Sequence, residues 1–202
     1  MADSADTARR KPRVDRPARR EAYVGIAARV MLEKGLHGAT MRDIAEAAGA
    51  AKVLVYRLFP SREALVEAVF HRVETAIEEA YDQPWEGYGS MVGRVLETAR
   101  RDPAPFLVVL KNCRANQPDW EARLRRLLAK TSMPLFEPGP NAPPGAPARA
   151  QRAVGMLFGL FVDSMITWLE DRDGLTDEAR IRWWGRIVRE NRAAGREAFQ
   201  LD

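Results

Sequence analysis

The chain has 202 residues, of which 46% are hydrophobic and 30% charged, with a formal net charge of +4. That balance is ordinary for a soluble globular protein, and the length suffices for one large domain or two small ones with a real core. Two histidines and one cysteine, with no His-Glu-x-x-His, Cys-x-x-Cys or glycine-rich phosphate loop, argue against catalysis, a metal site or a bound cofactor.

Residues 9–20 carry Arg9, Arg10, Lys11, Arg13, Arg16, Arg19 and Arg20 against one acid, Asp15. Residues 1–18 therefore read either as a basic arm that collects phosphate contacts or as a solvated tail. They lack an apolar signal segment, and lone Cys113 excludes an internal disulfide, so the cytoplasm is the expected location. A first helix runs from about Arg19 to Lys34, with Tyr23, Ile26, Ala27 and Val30 on one face and Gly35 as its stop. Thr40 and Asp43 have the spacing of a capping box and open a second helix to about Ala48. Gly49 breaks it, and a short helix before Pro60 gathers Lys52, Tyr56 and Arg57 on one side. Ser61 caps a fourth helix that carries Leu65, Ala68, Val69, Val73, Ala76 and Ile77 at helical spacing.

Past Tyr81, Gly87 and Gly89 lead into a helix with Met91, Val92, Val95, Leu96 and Ala99 inward. Asp102-Pro103 is a cap and first-turn pair for a helix through Phe106, Leu110 and Cys113. Another helix begins near Pro118, with Trp120, Leu124, Leu127 and Leu128. Five prolines and two glycines make residues 137–148 a connector. Two long helices close the chain, at about 149–171 and 177–199, the second capped by Thr176. The longest apolar run, Val154 to Ile166, contains Asp163 and is too short to span a bilayer, so no membrane partner is expected. The pattern is all-α, with about nine helices.

Ala45, Gly49 and Val55 have helix-turn-helix spacing: a small residue where two helices nearly touch, a residue tolerant of positive φ, and a buried apolar anchor. This leaves Lys52, Val53, Tyr56 and Arg57 free to face a groove, although a helical corner built only for packing has the same pattern. Tyr56 also reads as a half-buried helix residue and Arg62 as a solvated one. His37 and His71 read as structural, and Cys113 as an inert core thiol.

The stretch "AARVMLEKGLHGATMRDIAEAAGAAKVLVYRLFPSREALVEAV" resembles the DNA-binding region of the TetR family of bacterial transcriptional regulators, over about residues 20–70. The likeness rests on Gly35-x-x-x-x-Thr40, Ile44-Ala45, Ala48-Gly49, Tyr56-x-x-Phe59 and the Arg62-to-Leu65 run. It implies an N-terminal three-helix DNA-binding domain (19–65) and a larger helical ligand-binding and dimerisation domain (66–202). It also implies roles in binding double-stranded DNA. Thr40 caps the second helix and contacts phosphate, and Arg42 reaches a base or phosphate. Ala51, Lys52 and Val53 enter the major groove, while Tyr56 and Arg62 hold phosphates. Where relatives carry a small hydroxyl residue, glycine or a small residue, and histidine, this chain has Ala51, Val53 and Leu58. Arg57 is expected to replace the lost histidine contact.

The resemblance further implies a homodimer paired through its last two helices. Val154, Phe158, Phe161 and Trp168 on one helix and Ile181, Trp184 and Val188 on the other are the expected interface. Gly155-x-x-x-Gly159 allows close helix approach, either to a partner or within the subunit. A small-molecule effector is implied in a cavity lined by Met91, Val95, Phe106, Leu110, Trp120, Leu124, Phe161 and Met165, with Asp163 or Asn112 as polar anchors. The fourth helix is the expected lever. The reading that follows is a dimeric, ligand-released repressor on a palindromic operator. The alternatives are a helical interaction module that has lost operator binding, or a nonspecific architectural DNA binder.

Overall fold

The computed structural model describes residues 16–114, 117–170 and 174–201, and every regular element among them is helical. α1 (Arg16–Lys34), α2 (Met41–Ala47), α3 (Lys52–Leu58) and α4 (Arg62–Tyr81) are followed by α5 (Ser90–Arg101) and α6 (Pro103–Asn112). α7 (Pro118–Ser132), a 3-10 turn (Met133–Leu135), α8 (Ala146–Glu170) and α9 (Asp177–Ala198) complete the chain. α1 starts at Arg16, so residues 16–18 of the expected arm are its first turn; residues 1–15 lie outside those described. α8 starts at Ala146 because Pro147 fits a first helical turn, where its missing N–H costs nothing.

The local stop and start signals act as read. Gly35 ends α1 with φ +81° and Gly49 separates α2 from α3 with φ +58°. The Ser61 and Thr176 hydroxyls accept from the Ala64 and Ala179 N–H groups at 3.1 and 3.2 Å, closing the N-termini of α4 and α9. Asp102 differs from expectation. It precedes α6 without a side-chain cap bond, and its carboxylate turns instead to Arg29 of α1 (3.8 Å) and Arg72 of α4 (3.1 Å).

α6 is the hub. Residues Ala104 to Leu110 are all buried, and the helix packs against α1, α4, α5 and α8. One continuous apolar core therefore joins the N-terminal helices to the rest. α4 runs unbroken across residues 65 and 66, where the sequence reading divides the chain, and packs against both parts.

The aromatic residues expected at a dimer interface lie inside the chain. Val154, Phe158, Phe161, Trp168, Trp184 and Val188 are all buried by the chain's own helices. Phe161 meets Trp184 edge-on at 6.2 Å, and Trp168 meets Trp183 and Trp184 edge-on, both at 6.1 Å. Ile181 is half-buried against Gly89 and Gly93. Gly155 and Gly159 make room for the Arg125 and Arg114 side chains, so within the chain they serve packing. The reason is that α8 carries apolar residues over most of its circumference, and its core-facing stripe is the aromatic one. α8 is also long and apolar enough to cross a membrane by length and composition, contrary to the reading of its apolar run, but half of that window is buried in the fold.

Candidate nucleic-acid interface

The helix-turn-helix is built from backbone upward. Thr40 accepts from the Asp43 N–H at 3.2 Å, while the Asp43 carboxylate accepts from the Thr40 N–H at 2.8 Å and its hydroxyl at 2.6 Å. Lys34 donates to the other Asp43 oxygen at 2.5 Å, tying the end of α1 to the start of α2. The Lys34 bond, then those from Thr40, hold the Asp43 carboxyl well below the usual carboxylate range. At the turn, the Ala50 N–H reaches the Ala45 carbonyl at 3.0 Å, which the left-handed Gly49 permits. Ile44 and Val55 are fully buried and Phe59 nearly so, and these three anchor the pair to α1 and α4.

The outer face of α3 is what this anchoring leaves exposed. Val53, Tyr56 and Leu54 are 57%, 41% and 36% exposed, flanked by exposed Lys52 and Arg57. The Lys52 ammonium sits 5.6 Å above the Tyr56 ring, a cation–π arrangement that keeps both polar groups on one side. Ala51 occupies the N-cap of α3 with no side-chain oxygen to cap it. Arg42, exposed on α2, pairs with Glu46 at 2.8 Å, an exposed bond that a stronger anion can displace. Arg62 is placed differently from expectation. Its guanidinium turns inward and donates to the carbonyls of Leu36 and, at 2.9 Å, Ala39. It clasps the α1–α2 loop to the start of α4. His37 is exposed, His71 pairs with Glu74 at 3.3 Å, and buried Cys113 has its thiol pushed up by burial.

In the C-terminal part, the residues expected to line a cavity separate into two groups. Val95, Phe106, Leu110, Trp120, Leu124 and Met165 are solid core, with Trp120 stacked on Phe70 at 5.1 Å. Met91 and Phe161 do line a slot, beside Trp85, Tyr88, Leu157 and Trp184, with a volume of ≈60 Å³. Neither expected polar anchor reaches it: Asp163 pairs with Arg114 at 3.3 Å, and Asn112 donates to the Val108 carbonyl at 2.7 Å. The sequence reading missed Trp85 and Tyr88 because they lie in a loop with no periodicity.

Residues 26–69 match the sequence profile of the bacterial regulatory proteins, tetR family. Residues 26–69 therefore form a TetR-family DNA-binding domain. That domain is a helix-turn-helix of the DNA-binding kind found in transcription regulators. Solved structures of the same fold extend the likeness to the helices beyond residue 69. A tetR-family transcriptional regulator from Streptomyces coelicolor is 20% identical with a TM-score of 0.62, covering 91% of this chain and 82% of that one. A regulator from Pseudomonas aeruginosa PAO1 is 19% identical, TM-score 0.60, covering 93% and 96%. FadR from Bacillus subtilis, solved in complex with stearoyl-CoA, is 16% identical, TM-score 0.55, covering 87% and 98%.

Proposed function

We propose that this TetR-family protein is a cytoplasmic repressor that binds a palindromic operator as a homodimer and is released by a small apolar ligand. The observation that carries the reading is α3. A seven-residue helix with Val53, Tyr56, Lys52 and Arg57 exposed has no packing reason to present that face, and a major groove gives it one. Lys52 and Val53 serve as base readers. Tyr56, Arg57, Thr40 and Arg42 serve as phosphate contacts, with Arg42 leaving Glu46 on binding. Ala51 lets the helix approach closely, and Arg62 positions the motif through the α1–α2 loop. Two copies of α3 in one dimer must stand about 34–36 Å apart to enter successive major grooves. A ligand that favours another spacing shifts the population off DNA.

Selecting bound fragments from random duplex DNA tests the reading, with a palindrome as the expected product. On the selected site, Lys52→Ala should weaken binding by about 1–3 kcal/mol while leaving random DNA nearly unaffected. Selection that yields no consensus sequence would favour a nonspecific architectural binder.

A stearoyl-CoA complex of a protein of the same fold supports a ligand among the C-terminal helices. The chemistry of the slot here differs from what a charged, long-chain thioester requires.

A further inference from the structure

Resting on the ligand-responsive reading above, we propose that the slot beneath Trp85 takes a neutral, flat, largely apolar molecule, and that its lid passes the displacement directly to α9. The walls come from α5, α8 and α9, with the end of α7 closing one side. Met91, Leu157, Phe158, Phe161 and Trp184 make them almost wholly apolar or aromatic. Among the lining residues the polar groups are the Ser132 hydroxyl, the Tyr88 phenol and two indole N–H groups; no acid, amine, guanidinium or imidazole lines the slot. A charged ligand would lose its hydration there with nothing of opposite sign to replace it.

Size decides how such a molecule gets in. The slot measures ≈60 Å³, whereas a dry apolar cavity of about 150 Å³ holds benzene. The cover must therefore move. Trp85, 65% exposed and edge-on to Tyr88 at 5.4 Å, lies in the loop between α4 and α5. That loop ends in Gly87 and Gly89, at φ +114° and +97°. Both are conformations that glycine leaves and re-enters at little cost.

The same loop touches α9 backbone to backbone. A Cβ on Gly89 would lie 2.7 Å from the Ile181 carbonyl oxygen, and one on Gly185 would collide with the Tyr88 carbonyl. With no side chain between them, rotamer changes cannot absorb a shift of the loop, so α9 follows it.

The test uses three naphthalenes of similar size on the full chain without DNA: 2-acetylnaphthalene, 2-naphthoate and 2-naphthylmethylammonium. By titration calorimetry the neutral ketone should bind at least about ten-fold more tightly than either ion. Met91→Trp and Ser132→Phe, each checked for native circular dichroism, should weaken it by a similar factor by filling the slot. Amide hydrogen exchange should change on ketone binding in both the Trp85 loop and residues 181–188. Comparable affinity for an ion, no binding of the ketone, or full binding by a natively folded filled variant overturns the ligand class. Unchanged exchange in α9 overturns the coupling. Because DNA is absent throughout, these failures leave operator binding standing, and failed operator selection leaves the slot standing.

Discussion

Val53 is the most exposed large apolar side chain on α3, at 57%, next to a lysine and one turn from Arg57. An exposed valine gains nothing from water, but its methyl groups suit the 5-methyl of thymine in a major groove. We predict that replacing the thymines of the selected half-site one at a time by deoxyuridine reveals one position where affinity falls. The expected loss is about 0.8 kcal/mol, the worth of one buried methylene-sized group. In Val53→Ala that loss should vanish, as measured by fluorescence anisotropy; a loss that persists would assign the methyl contact to another residue. At this scale the sequence was most legible where the partner is near in the chain. The Thr40–Asp43 box and the Gly49 turn were readable because their geometry closes within a few residues. Arg62 was not: its acceptors, Leu36 and Ala39, lie 26 and 23 residues away. A basic residue at a helix start reads the same whether it meets phosphate or carbonyl.

α4 connects these residues to the rest of the molecule. Its first residue holds the α1–α2 loop, Arg72 reaches Asp102 at 3.1 Å, and Glu67 and Glu74 hold Arg123 of α7, both at 2.6 Å. Arg123 also lies over the Phe70 ring at 4.0 Å, so one guanidinium joins α4 and α7 by charge and by stacking. Burial pushes the Glu74 carboxyl up, but the Arg123 bonds, helped by His71, outweigh it and leave the group below its usual range. A carboxyl lowered by folding contributes stability that is complete above its unfolded value, about 4.3, and fades as pH falls toward the folded one. Arg123→Ala should therefore cost about 1–2 kcal/mol at neutral pH, at the low end for a partly exposed pair. It should also flatten the dependence of stability on pH between about 5 and 3. Urea unfolding across that range checks both, and an unchanged slope would show that other carboxylates dominate. Arg123→Lys should restore only part of the loss, since an ammonium cannot make the two-pronged bond. Helix order and ends were legible because each helix carries its own period and caps. The α4–α7 clamp was not, because its members are separated by 49 and 56 residues.

At the scale of the whole molecule, the proposed homodimer requires a surface that a second copy can cover. α8 is apolar over most of its circumference, so its sequence does not say which side faces its own core; the fold assigns Phe158, Phe161 and Trp168 inward. What remains outside is Met156, 66% exposed, with half-buried Leu160 one turn on, and Trp183, 46% exposed, with half-buried Ile187 one turn on. These lie along α8 and α9, whose packing brings Trp183 beside Trp168 and places Met156 and Leu160 in one groove with Asn191 and Gly195. An exposed methionine and tryptophan on adjacent helices form the kind of apolar face that a second copy would cover. A charge at Phe161 or Trp184 would lie in the subunit core and unfold the chain, so it cannot report on association. Met156→Glu with Trp183→Glu can. The doubly substituted protein should keep its helical circular dichroism, sediment as a monomer and lose most of its affinity for a two-half-site operator. Affinity for an isolated half-site, which needs no second copy, should be unchanged. A natively folded variant that still sediments as a dimer would remove this face from the interface.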